Sequence, residues 1–440
     1  MRTLIFLLIF TLSMKNVVLG NETEVVPVGE ATFEKVELFI DDSSCNCENL
    51  TKIIKEDLGL YKNFFNLENN KVTSSMVVVL RKEGLEEIQK TQSVLSDKNK
   101  PNENQPNVGE NKIFVDLFNK DAASPFYSSS HSLNFEKPRW DGHEISGMIF
   151  EAITKKEHIF HSKIVFISDQ GNLKSRLKFK QVFISDFDGH NIRKVTNIQG
   201  HILSPAVSND GKKLVYSLID STNSKSNVQL RILDLGTSED KVLSNLSGIN
   251  SGAVFLPGDK ELVLTLSHSG NAEIYKLNLL SKKITPLTNH WAADVDPSVS
   301  RNGDKLVFLS SRPGKPMIYA SSMNGIEKSV RRISFVGEFN ATPRFSPSGG
   351  EIVFSSWLDN RFDLFKISFD GKNLSRLTKD FGSNEDPSFS PDGEFIAFTS
   401  QRILDSNKER KDIYLMDKDG EILRKLDRLK GKSQSPRWFK

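Results

Sequence analysis

Between Asp186 and Lys440 one pattern recurs five times: a Pro leads a short apolar strand into a Gly turn, and a second apolar strand follows. Three copies read Asp296-Pro297-Ser298-Val299-Ser300-Arg301-Asn302-Gly303, Thr342-Pro343-Arg344-Phe345-Ser346-Pro347-Ser348-Gly349 and Asp386-Pro387-Ser388-Phe389-Ser390-Pro391-Asp392-Gly393. A fourth runs from Ser204-Pro205 to Gly211, and Ser251-Gly252-Ala253-Val254-Phe255-Leu256-Pro257-Gly258 fits the same frame with Gly252 in the Pro position. The turn glycines Gly211, Gly258, Gly303, Gly349 and Gly393 recur every 44 to 47 residues. A period of that length, with several short strands per unit, marks a β-propeller blade rather than a helical solenoid.

Each unit carries four strand signals. After the Gly turn comes a run such as Lys305-Leu306-Val307-Phe308-Leu309-Ser310 or Glu351-Ile352-Val353-Phe354-Ser355, read as a strand of period two. A third strand follows, as in Asp363-Leu364-Phe365-Lys366-Ile367 or Asp412-Ile413-Tyr414-Leu415-Met416. Turns such as Asp188-Gly189, Asn324-Gly325, Asp370-Gly371 and Asp419-Gly420 suit the positive φ of a tight hairpin and lead to a fourth strand like Ser375-Arg376-Leu377-Thr378. The Ser-Pro-Asp-Gly boxes read as turns rather than ligand sites, because Pro presets φ and Gly takes the left-handed position. Residues 164–196 supply three strands with no Pro-led strand before them, whereas Gln434-Ser435-Pro436-Arg437-Trp438-Phe439 is a Pro-led strand with nothing after it. Joining the two seals a ring of six blades and removes exposed sheet edges.

Met1-Arg2, an apolar run over residues 4–12 and Val18-Leu19-Gly20 read as a secretory signal over residues 1–20, since the run is too short to span a bilayer and Lys15 interrupts it. No Cys lies near the cleavage position and no other stretch approaches ~18 apolar residues, so a mature chain free of lipid anchor and membrane span is expected. Hydrophobic residues at 37% and 30 Phe support sizeable cores, and the net charge of +3 gives no ground for nucleic-acid binding. Residues 21–160 read as an α/β domain, with strands at 36–40, 76–80 and 112–118, a further one around 126–133, and a helix over 50–58. The stripe Ile145, Met148, Ile149, Ala152, Ile153 argues for a second, amphipathic helix packed on that sheet. The polar stretch 96–112 cannot bury a core and should be a mobile loop. Cys45 and Cys47 stand too close for an ordinary bridge across a fold, and no second ligand pair nearby supports a metal or redox role. The propeller is placed at residues 161–440.

Radially ordered strands bring the segments between blades back to one mouth of the central channel: residues 197–204, 247–251, 289–296, 335–342, 380–386 and 430–435. They carry His201, Asn250, His290, Trp291, Asp294, Asp296, Glu338, Asn340, Asn384, Glu385 and Asp386, candidates for partner contact on loops held by rigid blades. Trp291 stands out, because a large aromatic on a connecting loop anchors either packing or a partner. A propeller peptidase would need a Gly-x-Ser-x-Gly elbow, and none occurs in the chain. A metal-dependent hydrolase or lyase would need convergent channel ligands; His158 and His161 sit in the linker, while Asp294, Asp296, Glu385 and Asp386 could hold a Ca²⁺ ion without doing chemistry.

The chain resembles the TolB family of the Tol-Pal system over essentially its whole length after the signal. The likeness rests on Ile184-Ser185-Asp186-Phe187-Asp188-Gly189-His190-Asn191, on Gly142-His143 with the helix that follows, and on the closing Ser435-Pro436-Arg437-Trp438. An α/β domain before six blades separates it from peptidase propellers. The resemblance implies a periplasmic scaffold with no catalytic residues and no cofactor, supporting outer-membrane integrity and envelope constriction at division. It further implies that the lipoprotein Pal meets the mouth at Asn250, His290, Trp291, Asp294, Asp296, Glu338, Asn340, Asn384, Glu385 and Asp386. TolA is implied to meet the mature N-terminal segment at Asn21, Glu22, Thr23, Glu24, Val25 and Val26, with other envelope proteins as further partners.

Overall fold

A computed structural model of the chain describes residues 34–82, 112–170, 179–219 and 228–440, apart from residues 46, 135, 325, 406–407 and 430. The signal over residues 1–20, the expected contact at Asn21 to Val26 and all but the last residue of the polar stretch 96–112 lie outside the described residues.

The N-terminal elements are β1 (Val36–Ser44), α1 (Glu48–Leu58), β2 (Phe65–Glu68), β3 (Met76–Lys82), β4 (Lys112–Asn119), β5 (Tyr127–Ser132) and α2 (Pro138–Thr154). They build one sheet in the order β2-β1-β3-β4-β5, with β1 parallel to β2 and β3. Leu38, Ile40, Val78, Leu80, Val115 and Leu117 of the sheet share one core with Ile54 and Leu58 of α1 and Ile145 and Ile149 of α2. Four residues, Phe65-Asn66-Leu67-Glu68, are too few to show a period, which is why β2 is not legible in the sequence. α2 begins at Pro138, earlier than its apolar stripe, because Pro suits the first turn and the residues there are mostly polar. Cys45 and Cys47, expected to stand too close for an ordinary bridge across a fold, are joined to each other by a local disulfide two residues apart in sequence. The end of β1 and the start of α1 hold their Cα atoms 5.2 Å apart, within ordinary bridging range.

Six four-stranded sheets follow, and the inner strand of the first is Ser433–Phe439, paired antiparallel with Lys163–Ser168. The ring therefore closes as the repeat predicts. The second strand of each blade is buried on both faces rather than alternately, as in Leu306 to Ser310 and Ile352 to Ser356. A propeller sandwiches that strand between two neighbouring blades, so no face is left for polar residues. Apolar clusters fill the seams: Val165, Ile167 and Val182 of blade 1 meet Leu214, Tyr216 and Leu218 of blade 2, and Val353 and Leu364 of blade 5 meet Ile396, Phe398 and Met416 of blade 6. The seam between blades 6 and 1, with Phe395, Ile413, Leu426, Ile164, Phe166 and Trp438, is continuous with the core of the N-terminal sheet.

All six inner strands slip register at the same place. There Ser204, Gly252, Asp296, Thr342, Asp386 and Ser435 have φ between 47° and 63°, and a Pro follows in every blade but the third, where Ala253 stands. The expected alignment of blade 3 is thus corrected by one residue: Gly252 holds the left-handed position before Pro, not the Pro position. The turn shifts with it. Asp259, with φ 56°, donates its N–H to Leu256 O as Gly303 does to Ser300 O, so Asp259 and not Gly258 closes that hairpin.

Candidate functional site

Both ends of the channel can be placed from the strand directions. Inner strands begin at the between-blade returns and end at the Pro-Asp-Gly-type turns, and the N-terminal elements touch the turn end. Tyr61 Oη donates to Asp392 Oδ2 at 2.6 Å, Lys62 pairs with Glu421, Arg139 pairs with Asp188, and Lys440 Nζ lies 3.7 Å from Glu157 Oε2. Asp392 belongs to a Ser-Pro-Asp-Gly box, so that box is a docking point as well as a turn. The mouth formed by the returns faces the other way, and among the described residues the N-terminal elements leave it uncovered.

The sequence-derived candidates divide sharply there. Asn250, Asp294, Asn340 and Asn384 open the inner strands and are wholly buried, a correction to their reading as partner contacts on loops. Asn250 ties its own return, with Nδ2 donating to Leu246 O at 2.8 Å and Oδ1 accepting from Ser244 Oγ at 2.6 Å. Asn340 Nδ2 donates to Val336 O at 3.0 Å and to Ser356 Oγ at 2.9 Å, while Asn384 Nδ2 lies 3.2 Å from Thr378 Oγ1. Asp294 accepts from Arg312 Nη2 at 2.7 Å. Each of the four is thus engaged within the propeller, although among the described residues Oδ1 of Asp294, Asn340 and Asn384 is buried with no hydrogen-bond partner.

Asp296 and Asp386 occupy the left-handed positions at the bulges and link blades around the channel. Arg344 of blade 5 donates to Asp296 Oδ1 of blade 4 at 3.0 Å, and Ser435 Oγ of blade 1 donates to Asp386 Oδ2 of blade 6 at 2.8 Å. Burial, then the neighbouring Arg344 charge, lowers the Arg437 guanidinium to about 10. Burial raises the Glu385 carboxyl above its ordinary range. Asp294, Asp296 and Asp386 are each engaged by a donor, and among the described residues no three His, Cys, Asp or Glu side chains gather in metal-holding geometry. His158 and His161 face Glu151 and Glu144 instead, at 3.4 and 3.2 Å.

The mouth also exposes large apolar side chains. Trp291 is 78% exposed beside the half-buried His290, their ring centroids 5.2 Å apart. Phe335 is 71% exposed under the guanidinium of Arg332, and Ile249, Phe339 and Leu203 are also exposed on the returns or at their ends. Glu338 lies exposed between the two phenylalanines, and His201 is exposed at the start of its strand. Phe335 and Phe339 were missed as candidates, although the criterion that singles out Trp291 applies to them equally. The arrangement offers aromatic anchors with a polar rim, the composition of a protein-contact surface.

The family model described as TolB beta propeller domain matches residues 150–440. The chain belongs to the TolB family. It is 28% identical over 274 residues to the Tol-Pal system protein TolB of Francisella tularensis subsp. holarctica (strain OSU18), covering 61% of this chain and 62% of that relative. A TolB from Francisella tularensis subsp. tularensis (strain FSC 198) is 27% identical over 273 residues, with 61% of each chain covered. The chain thus spans somewhat under two thirds of the length of the curated TolB relatives it matches. The crystal structure of TolB from Acinetobacter baumannii superposes with a TM-score of 0.71 at 21% identity, covering 92% of this chain and 97% of that one, and shows the shared fold. Among the described residues no helix is long and apolar enough to cross a membrane.

Proposed function

We propose that this chain is a periplasmic scaffold of the Tol-Pal system, acting by binding and not by catalysis. On this reading residues 1–20 are removed at export, residues 21–160 form one domain and residues 161–440 the other. The mouth receives Pal, and the segment beginning Asn21, Glu22, Thr23, Glu24, Val25 and Val26 receives TolA, so that the protein links envelope layers during constriction. The observation that carries the reading is the exposed aromatic set, Trp291, Phe335 and Phe339, on the propeller face opposite the one that the described N-terminal elements contact. Aromatic anchors of this kind dominate binding energy at protein interfaces. The Tol-Pal designation of the TolB relatives supports the choice of partner.

The test replaces Trp291 and Phe335 by Ala together and measures Pal binding by calorimetry. Exposed substitutions leave the ring folded, within about 0.5 kcal/mol each, while loss of two anchors should weaken Pal about a hundredfold, roughly 2.7 kcal/mol. A control carries Lys212→Glu and Lys260→Glu at the turn end and should bind Pal normally. Unchanged affinity in the mouth variant, with loss in the control, would move the contact to the opposite face.

A further inference from the structure

The disulfide between Cys45 and Cys47 plays no part in the mouth or in the docking of the N-terminal elements. A bridge closed over a single residue constrains the unfolded chain less than any longer one, so it adds little to stability. Its surroundings point to chemistry instead. Cys45 is 3% exposed in the core below β1, whereas Cys47 is half-buried and borders a cavity of about 470 Å³ lined by Leu50, Ile53, Leu133 and Pro138 together with Glu48, Asn49 and Asp141. One residue of the pair thus lines a cleft of mixed apolar and acidic character and the other is shielded. Cys47 is also the residue at which α1 begins, where the helix end favours a thiolate, although Glu48 in the first turn opposes part of that effect. On the shielded side, Asp42 O lies 3.4 Å from Cys45 Sγ, placed to accept the S–H of the reduced form.

We infer that Cys45–Cys47 is a dithiol–disulfide exchange site for cysteine-bearing polypeptides, with Cys47 the sulfur that is attacked and Cys45 the sulfur that leaves, and that resolves the mixed disulfide when the exchange runs in reverse. A thiolate of the incoming chain attacks Cys47 Sγ and bonds to it. The Cys45–Cys47 bond breaks, and its electron pair leaves on Cys45 Sγ, which takes a proton from solvent. A second thiolate of the same polypeptide then attacks its own sulfur in the mixed disulfide and releases Cys47 as thiolate. The polypeptide is oxidised by two electrons to a disulfide and the pair is reduced by two; exchange with the disulfide of a second protein reverses the change. The aliphatic part of the lining, Leu50, Ile53 and Leu133, favours a cysteine flanked by aliphatic residues.

Two measurements on the full chain test this. Reduced glutathione should open the native bond at least about tenfold faster than the same bond in the urea-unfolded chain, because an inert structural bridge is slower when folded and an exchange-active one is faster. This comparison needs no variant. In the second, Cys45→Ser and Cys47→Ser chains, each shown by circular dichroism to melt cooperatively, meet a peptide carrying a glutathionylated Cys between leucines. Cys45→Ser, which cannot resolve, should accumulate the mixed disulfide at least about tenfold faster than Cys47→Ser, read by intact mass. A native bond opened no faster than the unfolded one, or equal trapping by the two variants, would overturn the assignment. Neither result bears on the mouth, where Trp291→Ala leaves this exchange unchanged.

Discussion

Tyr61, between α1 and β2, joins the N-terminal elements to blade 6 through a single hydroxyl. It donates to Asp392 at 2.6 Å and accepts the Ile159 N–H at 3.0 Å, with its ring buried against Phe150 and Phe395. Burial, then the Asp392 carboxylate, pushes the hydroxyl well above the ordinary tyrosine range, so it stays a donor at any working pH. Tyr61→Phe keeps the packing and strands both partners, and should cost about 1–3 kcal/mol in urea unfolding; an unchanged midpoint would show that water replaces the hydroxyl. His143 lies nearby, Nδ1 at 2.7 Å from Asp57 Oδ2 and Nε2 at 3.6 Å from Asp188 Oδ2. Burial pulls its pKa down, but Asp188 and Asp57 outweigh it and hold the imidazolium up to about 9. A folded pKa above the unfolded value near 6.5 stabilises fully below that value, and the contribution is lost as pH rises through about 9. Stability should fall by up to about 3 kcal/mol between pH 6 and 10, and His143→Gln should flatten that slope when urea midpoints are measured across the range.

At the scale of the strand, the slip in each inner strand is the device that turns the chain into the channel. Five of the six left-handed residues are not Gly, and Thr342 at φ 49° is the least suited, since a β-branched side chain crowds its own backbone there. Its hydroxyl lies 3.1 Å from Ser355 Oγ, which offsets part of the strain. Thr342→Gly relieves about 1 kcal/mol of backbone strain and loses that one contact. The melting temperature of the variant should therefore hold or rise; a fall of several degrees would mean that the hydroxyl contact, not the backbone, sets the balance. Gly252 already carries the unstrained solution in blade 3.

For the whole molecule the decisive seam is the one where the ring closes. Trp438 packs beside Phe395, its Nε1 donating to Ser162 Oγ at 2.8 Å, in the core that continues into the N-terminal sheet. Removing residues 433–440 opens the first blade and strips this shared core at once. Loss of the Trp alone costs about 3–5 kcal/mol, and two exposed sheet edges invite association. The truncated chain should aggregate or melt far lower in calorimetry; a melting temperature equal to that of the full chain would show the ring to be stable without its last strand.

The repeat carried blade number and ring closure in plain sight, because a Pro-led strand, a left-handed turn residue and a fixed period are local properties that one dimension can hold. The same locality explains the exposed Trp291: an aromatic on a return is visible without coordinates. Which polar groups at the mouth face inward was not legible, since Asn250, Asp294, Asn340 and Asn384 became buried only when the inner strands began a few residues earlier than the pattern suggested. Burial of both faces of the second strands, the bridge between Cys45 and Cys47, and the docking of Tyr61 and Arg139 at the turn end are likewise tertiary outcomes. Each depends on distances between segments far apart in the chain or on a backbone bend, and neither periodicity nor composition encodes those.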